Sequence, residues 1–424
     1  MPAGLFSCVP ATQDGFCHAG GNLAEAGGHL QAKFRTAPAP VLVSKRLGPS
    51  AGGVPHRLTP TGAATRSGSD EPRNPHMTDT ERNEPSGLRR RSVLLGAAAG
   101  AGALALGAGP LATPAQAASF VKGADVSWLP QMEAKGYYWN NGAGARQDLF
   151  TVLKGYGITA ISLRTWVNPS SDPANGHCSI EETAQLAKRA KDAGMQVLIG
   201  FHFGDTWNSV GVQNPPAAWA SMTYSQMLDA MYDYVYHSCN IIKYHGVTPA
   251  WVKIGNETNS GICKPVGSIS RPAQMTGLLN AAYDMSKQVF PSTPVLVHLA
   301  QPQNLAGVQN FLNAYRDNGG RWDITGLSSY AQGGNVPAVL ANMQTIQSGY
   351  GKPVMQVEYG GPVGKPTQVR DSLRAFVSGL QGFGGLGTFF WEPEGYPSFN
   401  NYNSSAWDES TRRPTAAMDG FLNG

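Results

Sequence analysis

Two glutamates stand at the ends of β-rich apolar runs, where a carboxylate does chemistry more readily than it stabilises a fold. Glu257 closes the stretch 250–257, AWVKIGNE, and Glu358 closes 354–358, VMQVE. Two carboxyl groups facing each other at about 5–5.5 Å can open an acetal by double displacement: one attacks the carbon, the other protonates the leaving oxygen and later activates water. A wider gap gives single displacement with inversion, and the sequence leaves the two open. Neighbours separate the roles. Asn256 is placed to bond a sugar 2-hydroxyl, and Arg164 and Tyr330 to donate to Glu358 and hold it ionised as the nucleophile. Glu257 then begins protonated, with a raised pKa that falls when Glu358 loses its charge, and serves as acid/base.

Such a pair needs a frame that brings distant chain segments to one rim. Beyond residue 118 short β-rich runs alternate with amphipathic segments, at 123–129, 159–167, 196–202, 251–257, 295–301, 324–330, 354–359 and 387–392. Between the second and third, 179–194 (SIEETAQLAKRAKDAG) reads as a helix with Gly194 as C-cap and Ile180, Ala184, Ala187 and Lys191 on one face. Eight strand–helix units predict a single α/β domain, a (β/α)8 barrel. A doubly wound open sheet is the alternative, but no glycine-rich phosphate loop follows any of the runs. In the barrel the site forms where strands finish. Those ends carry Asp125, Arg164, Trp166, His202, Asp205, Trp207, Asn256, Glu257, His298, Tyr330, Glu358, Trp391 and Glu392.

The first 117 residues are a different kind of chain. All nine Trp and all fifteen Tyr lie beyond them, and they hold three Phe, too little to bury a core. Residues 77–117 read as a twin-arginine-type signal peptide: Arg90 and Arg91, a Gly/Ala/Leu run, then Ala115-Gln116-Ala117 as the cleavage site. Residues 1–76 read as an untranslated or disordered extension, and 118–424 as the catalytic domain. The formal charge of +4 belongs to the leader, since 21 Lys+Arg meet 21 Asp+Glu from residue 118 onward. That balance points away from nucleic acid and, after signal cleavage, from membranes; a secreted monomer is expected.

Several motifs in order resemble glycoside hydrolase family 53: 122–136 (KGADVSWLPQMEAKG), 163–169 (LRTWVNP), 201–207 (FHFGDTW), 254–261 (IGNETNSG), 326–330 (GLSSY) and 390–393 (FWEP). The resemblance implies an arabinogalactan endo-β-1,4-galactanase, a retaining (β/α)8 glycosidase that needs no cofactor. It puts acid/base on Glu257 and nucleophile on Glu358, with Arg164, His202, Asn256, Tyr330 and Trp391 around the sugar and Trp166 and Trp207 as stacking platforms. The sequence departs from the family beside the groove, with Ala300-Gln301 where Asp-Asn is usual and Tyr359-Gly360-Gly361 where Thr-Ala-Tyr is common. Those departures leave mannan, glucan or arabinan as alternative substrates, and a lapsed carbohydrate-binding protein as a further one. Some members carry calcium after strand eight, where Asn401, Asn403 and Asp408 offer oxygens.

Other residues carry structural expectations. Asp125 is a substrate-binding candidate that a bracing role explains equally well, and Asp205 is expected to orient His202 or Trp207. Trp139, Trp219, Trp251 and Trp322 read as packing. Cys178 and Cys263 lie in loops on the active-site face and are expected to pair, leaving Cys239 free.

Overall fold

The computed structural model describes residues 119–170 and 177–422. The expected signal peptide and extension lie outside the described residues. Eight parallel strands close a barrel: β1 (Val121–Asp125), β2 (Ala160–Thr165), β3 (Gln196–Phe201), β4 (Trp251–Ile254), β5 (Val295–Ala300), β6 (Ile324–Ser328), β7 (Val354–Tyr359) and β8 (Gly387–Trp391). Each pairs with its sequence neighbours, and β8 closes on β1. All eight expected runs are strands. The first begins two residues earlier and stops at Asp125, because Leu129 already opens a helix with Pro130 in its first turn.

Helices cover the outside. Two short ones, α1 (Leu129–Ala134) and α2 (Leu149–Gly155), share the β1–β2 connection. Then come α3 (Ile180–Asp192), α4 (Tyr224–Tyr244), α5 (Pro272–Val289), α6 (Leu305–Asp317), α7 (Val336–Tyr350) and α8 (Pro366–Gly382). The chain returns after β8 as a 3-10 segment, Ala416–Phe421, whose last carbonyl accepts from Lys122 Nζ at 2.7 Å. The helix expected at 179–194 is α3: Ser179 caps the Glu182 N–H, and Gly194 takes φ +79°. Its buried face is Ile180, Thr183, Ala184, Leu186, Ala187 and Ala190, whereas Lys191 points to solvent. A face drawn through every fourth residue drifts off the core on a 3.6-residue helix.

Inside the barrel the side chains form layers. The lower layer is apolar: Val121, Ala160, Leu198, Trp251, Leu296, Ile324, Met355, Val357 and Phe389 make one buried cluster. Two or four residues further along β2 to β6 the same face turns polar, at Ser162 and Arg164, His202, Lys253, His298 and Ser328, and all of these are buried. Filling the lower layer depends on Gly123, where an added Cβ would lie 2.2 Å from the Phe389 ring. Trp139, Trp219, Trp251 and Trp322 are buried packing residues, as expected.

Gly123→Ala therefore overpacks the barrel floor, and a loss of about 1–3 kcal/mol is expected. Urea unfolding checks this, and an unchanged midpoint would contradict the layered packing.

Candidate active site

The end of β4 is bent to deliver Glu257. Gly255 sits at φ +83°, where an added Cβ would meet Thr258 Cγ2 at 2.4 Å. Glu257 itself takes the left-handed conformation, φ 48° and ψ 51°, which non-glycine residues hold only when their surroundings fix it. Those surroundings are visible. Gln213 Nε2 donates to the carbonyls of Asn256 (2.7 Å) and Glu257 (3.1 Å), and the Glu257 N–H donates to His298 Nδ1 at 3.3 Å. The Asn256 side chain donates to the Asn208 carbonyl at 2.9 Å and accepts from Lys253 Nζ at 3.2 Å.

Glu358 is delivered differently. Along β6 and β7, Leu327 aligns with Gln356 but Ser328 aligns with Glu358, so β7 holds one extra residue at Val357. This bulge resets the inward–outward alternation. Met355 and Val357 fill the floor, and Glu358 faces the mouth instead of the helices. Its carboxylate accepts from Ser328 Oγ (3.1 Å), Tyr330 Oη (3.2 Å) and Lys253 Nζ (3.4 Å). Glu257, His298 and Glu358 each present one ligand-type atom, all within 4.8 Å of one another.

His298 ties the pair together. Its Nδ1 accepts the Glu257 N–H, so the proton of the neutral ring sits on Nε2 and is donated to Ser328 Oγ at 2.5 Å. Ser328 in turn donates to Glu358. Burial, with the charge of Lys253 nearby, pushes His298 well below the usual histidine range and keeps it neutral. Burial raises Glu257 to about 8, and the negative charge of Glu358 adds to the rise. A Glu257 that keeps its proton, opposite a Glu358 held by three donors, is an arrangement suited to an acid–nucleophile pair.

Family membership follows from comparison with known proteins. The family model for glycosyl hydrolase family 53 matches residues 121–372. This chain belongs to glycosyl hydrolase family 53. It is 30% identical over 346 residues to the arabinogalactan endo-beta-1,4-galactanase A of Emericella nidulans, covering 74% of this chain and 97% of that one. The endo-beta-1,4-galactanase of Bacillus subtilis is 28% identical over 309 residues, covering 66% and 71%. Among solved structures, the GH53 catalytic domain of Ignisphaera aggregans superposes with a TM-score of 0.66 at 25% identity, covering 73% and 97%.

Within this glycoside hydrolase several side chains act otherwise than the sequence suggested. Arg164 does not reach Glu358. It donates to Glu392 and lies 3.6 Å from Asp125, with its guanidinium 4.4 Å from the Trp207 ring centroid. The cation on Glu358 is Lys253, from within the run WVKI. Its one signal was a lysine two residues after inward-facing Trp251. Asp125 is a buried brace, with both oxygens taken by Ser127 and Ser162. Trp166 is 1% exposed and packs under Trp207 at 5.2 Å, so it is no sugar platform. Trp207 and Trp391 are half-buried, 6.0 Å apart, and Trp391 ends β8. His202 is a buried neutral ring held edge-on to Trp166 and Trp207. Asp205 caps the N–H groups of Asn168 and Ala217 instead of orienting His202 or Trp207. Glu392 and Glu394 are wholly buried; burial raises Glu392 to about 7 and Glu394 well above the carboxylate range.

The expected Cys178–Cys263 disulfide is not formed. Cys178, Cys239 and Cys263 are free and buried. Cys178 Sγ turns to the Ser127 carbonyl (3.7 Å) and Cys263 Sγ to that of Phe203 (3.6 Å), at the ends of different strands. Burial pushes each thiol up to about 12. One oxygen of Asp408 accepts from Ser410 Oγ, Thr411 N and Thr411 Oγ1 within its own turn.

With Glu257 as the acid, kcat/KM is expected to fall as pH rises through about 8 and to hold below it until a second group titrates. A pH–rate profile checks the limb; full activity well above pH 9 would reassign the acid. Ser328→Ala and Tyr330→Phe each remove a hydrogen bond that fixes the orientation of the Glu358 carboxylate and should lower kcat/KM roughly 10- to 100-fold.

Proposed function

We propose that this chain is an endo-acting β-1,4-galactanase that cleaves type I arabinogalactan by double displacement with retention, exported by the twin-arginine route and acting outside the cell as a monomer. The observation that carries the mechanism is the spacing of the pair. Carboxylate oxygens of Glu257 and Glu358 within 4.8 Å suit the covalent route better than the separation of about 6.5–9.5 Å that an inverting pair keeps. The galactan preference is supported by the names of the relatives in Emericella nidulans and Bacillus subtilis. The signal-like leader supports export, and among the described residues no helix is long and apolar enough to cross a membrane.

In the first half Glu358 attacks the anomeric carbon while Glu257 gives its proton to the leaving oxygen. As Glu358 becomes an ester its charge no longer raises Glu257, whose pKa falls so that it can take a proton from water in the second half. The second Nδ2 hydrogen of Asn256 is available to the 2-hydroxyl, while the first holds the Asn208 carbonyl. The departures beside the groove are compatible with this role. Tyr359 is buried with its hydroxyl on the Val369 carbonyl, and Gly360 leaves room for the Tyr330 ring, 3.1 Å from where a Cβ would sit.

Linear β-1,4-galactan, mannan, glucan and arabinan should be compared by reducing-end release, with proton NMR following the anomer first formed. Release from galactan with the β-anomer first is expected; mannan turnover without galactan turnover overturns the substrate, and α-anomer first overturns the mechanism. Glu358→Ala should lose about 10³-fold or more of turnover while still binding galacto-oligosaccharides.

A further inference from the structure

Lys253 is a charged side chain deep in the barrel, 2% exposed. Its ammonium sits 3.4 Å from Glu358 Oε1 and 3.2 Å from Asn256 Oδ1. The neighbouring strand makes space for it: at Gly200 an added Cβ would lie 2.8 Å from Lys253 Cε. The other cation of this layer, Arg164, is committed to Glu392 and Asp125, and His298 is neutral. Among the described residues Lys253 is thus the positive charge that faces the nucleophile.

We propose that Lys253 is a positioning residue for the second half of the reaction, favouring departure of Glu358 from the glycosyl-enzyme; this rests on the retaining reading above. When Glu358 forms its bond to the anomeric carbon, its negative charge disappears and the ammonium is left facing a neutral ester in a poorly solvated site. In the second half water attacks that carbon, the C–O bond breaks with its electron pair returning to Glu358, and the water proton goes to Glu257. Negative charge then grows 3.4 Å from Lys253, where low dielectric makes the attraction large. A cation here makes Glu358 a better leaving group and a less eager nucleophile. Its removal should slow deglycosylation far more than glycosylation.

The test uses Lys253→Gln, Lys253→Met and Lys253→Arg with an activated aryl β-1,4-galactobioside. For the two neutral variants we expect a burst of about one aryl alcohol per enzyme, followed by steady-state turnover slowed by roughly 30-fold or more. KM should fall along with kcat, leaving kcat/KM within about fivefold of wild type, and intact mass spectrometry should find glycosylated enzyme accumulating. Lys253→Arg should restore turnover and abolish the burst. An equal fall in kcat and kcat/KM without burst or adduct overturns the proposal. So does loss of cooperative thermal unfolding in both neutral variants, because the role is then structural. If wild-type enzyme fails on galactosides, the galactan reading falls and takes the proposal with it; if only the variants lack the burst, Lys253 alone is misassigned.

Discussion

Carboxyl oxygens of Glu257 and Glu358 lie within 4.8 Å in a buried barrel mouth, where like charge is disfavoured, and much of the upper barrel answers to that constraint. Glu257 is the member that keeps its proton, raised by burial and by the charge opposite. Glu358 is the member surrounded by donors, from β4, from the end of β6 and from the residues just beyond it. The asymmetry between Glu257 and Glu358 is therefore built by neighbours, since the two side chains are chemically identical.

Charge in the upper layer is partitioned with the same economy. Two cations enter it, from β2 and β4: Arg164 meets Glu392 and Asp125, and Lys253 meets Glu358. The surplus carboxyl Glu394, sealed from solvent, is pushed toward its neutral form, so the layer avoids an unpaired buried charge. Arg164 also lies among the rings of Trp128, Trp166 and Trp207. The guanidinium therefore links Glu392 and Asp125 to the aromatic rings, away from Glu358.

The eight runs were legible because period-two patterning and strand-end punctuation survive in one dimension, and the ordered motifs pointed to the right family. Contacts between residues far apart in sequence were not legible in this way. Arg164 was expected on Glu358, but Lys253 is nearer, and nothing local says which cation wins. Cys178 and Cys263 share a face of the barrel, yet their thiols turn to different strand ends. Trp166 and Trp207 look equivalent as aromatic residues after β2 and β3; one is sealed beneath the other.

What the sequence by itself determined is the barrel, the two glutamates and the rim on which they meet, because strand order and hydrophobic alternation are local properties that add up along the chain. What only the tertiary structure decided is which way those residues face and whom they touch. Strict alternation from Met355 would turn Glu358 outward, and the extra residue at Val357 turns it in. Glu257 reaches the cleft through a left-handed backbone held by Gln213 and His298. Bulges and strained conformations persist only when the surrounding packing enforces them, and that packing exists only once the barrel has closed.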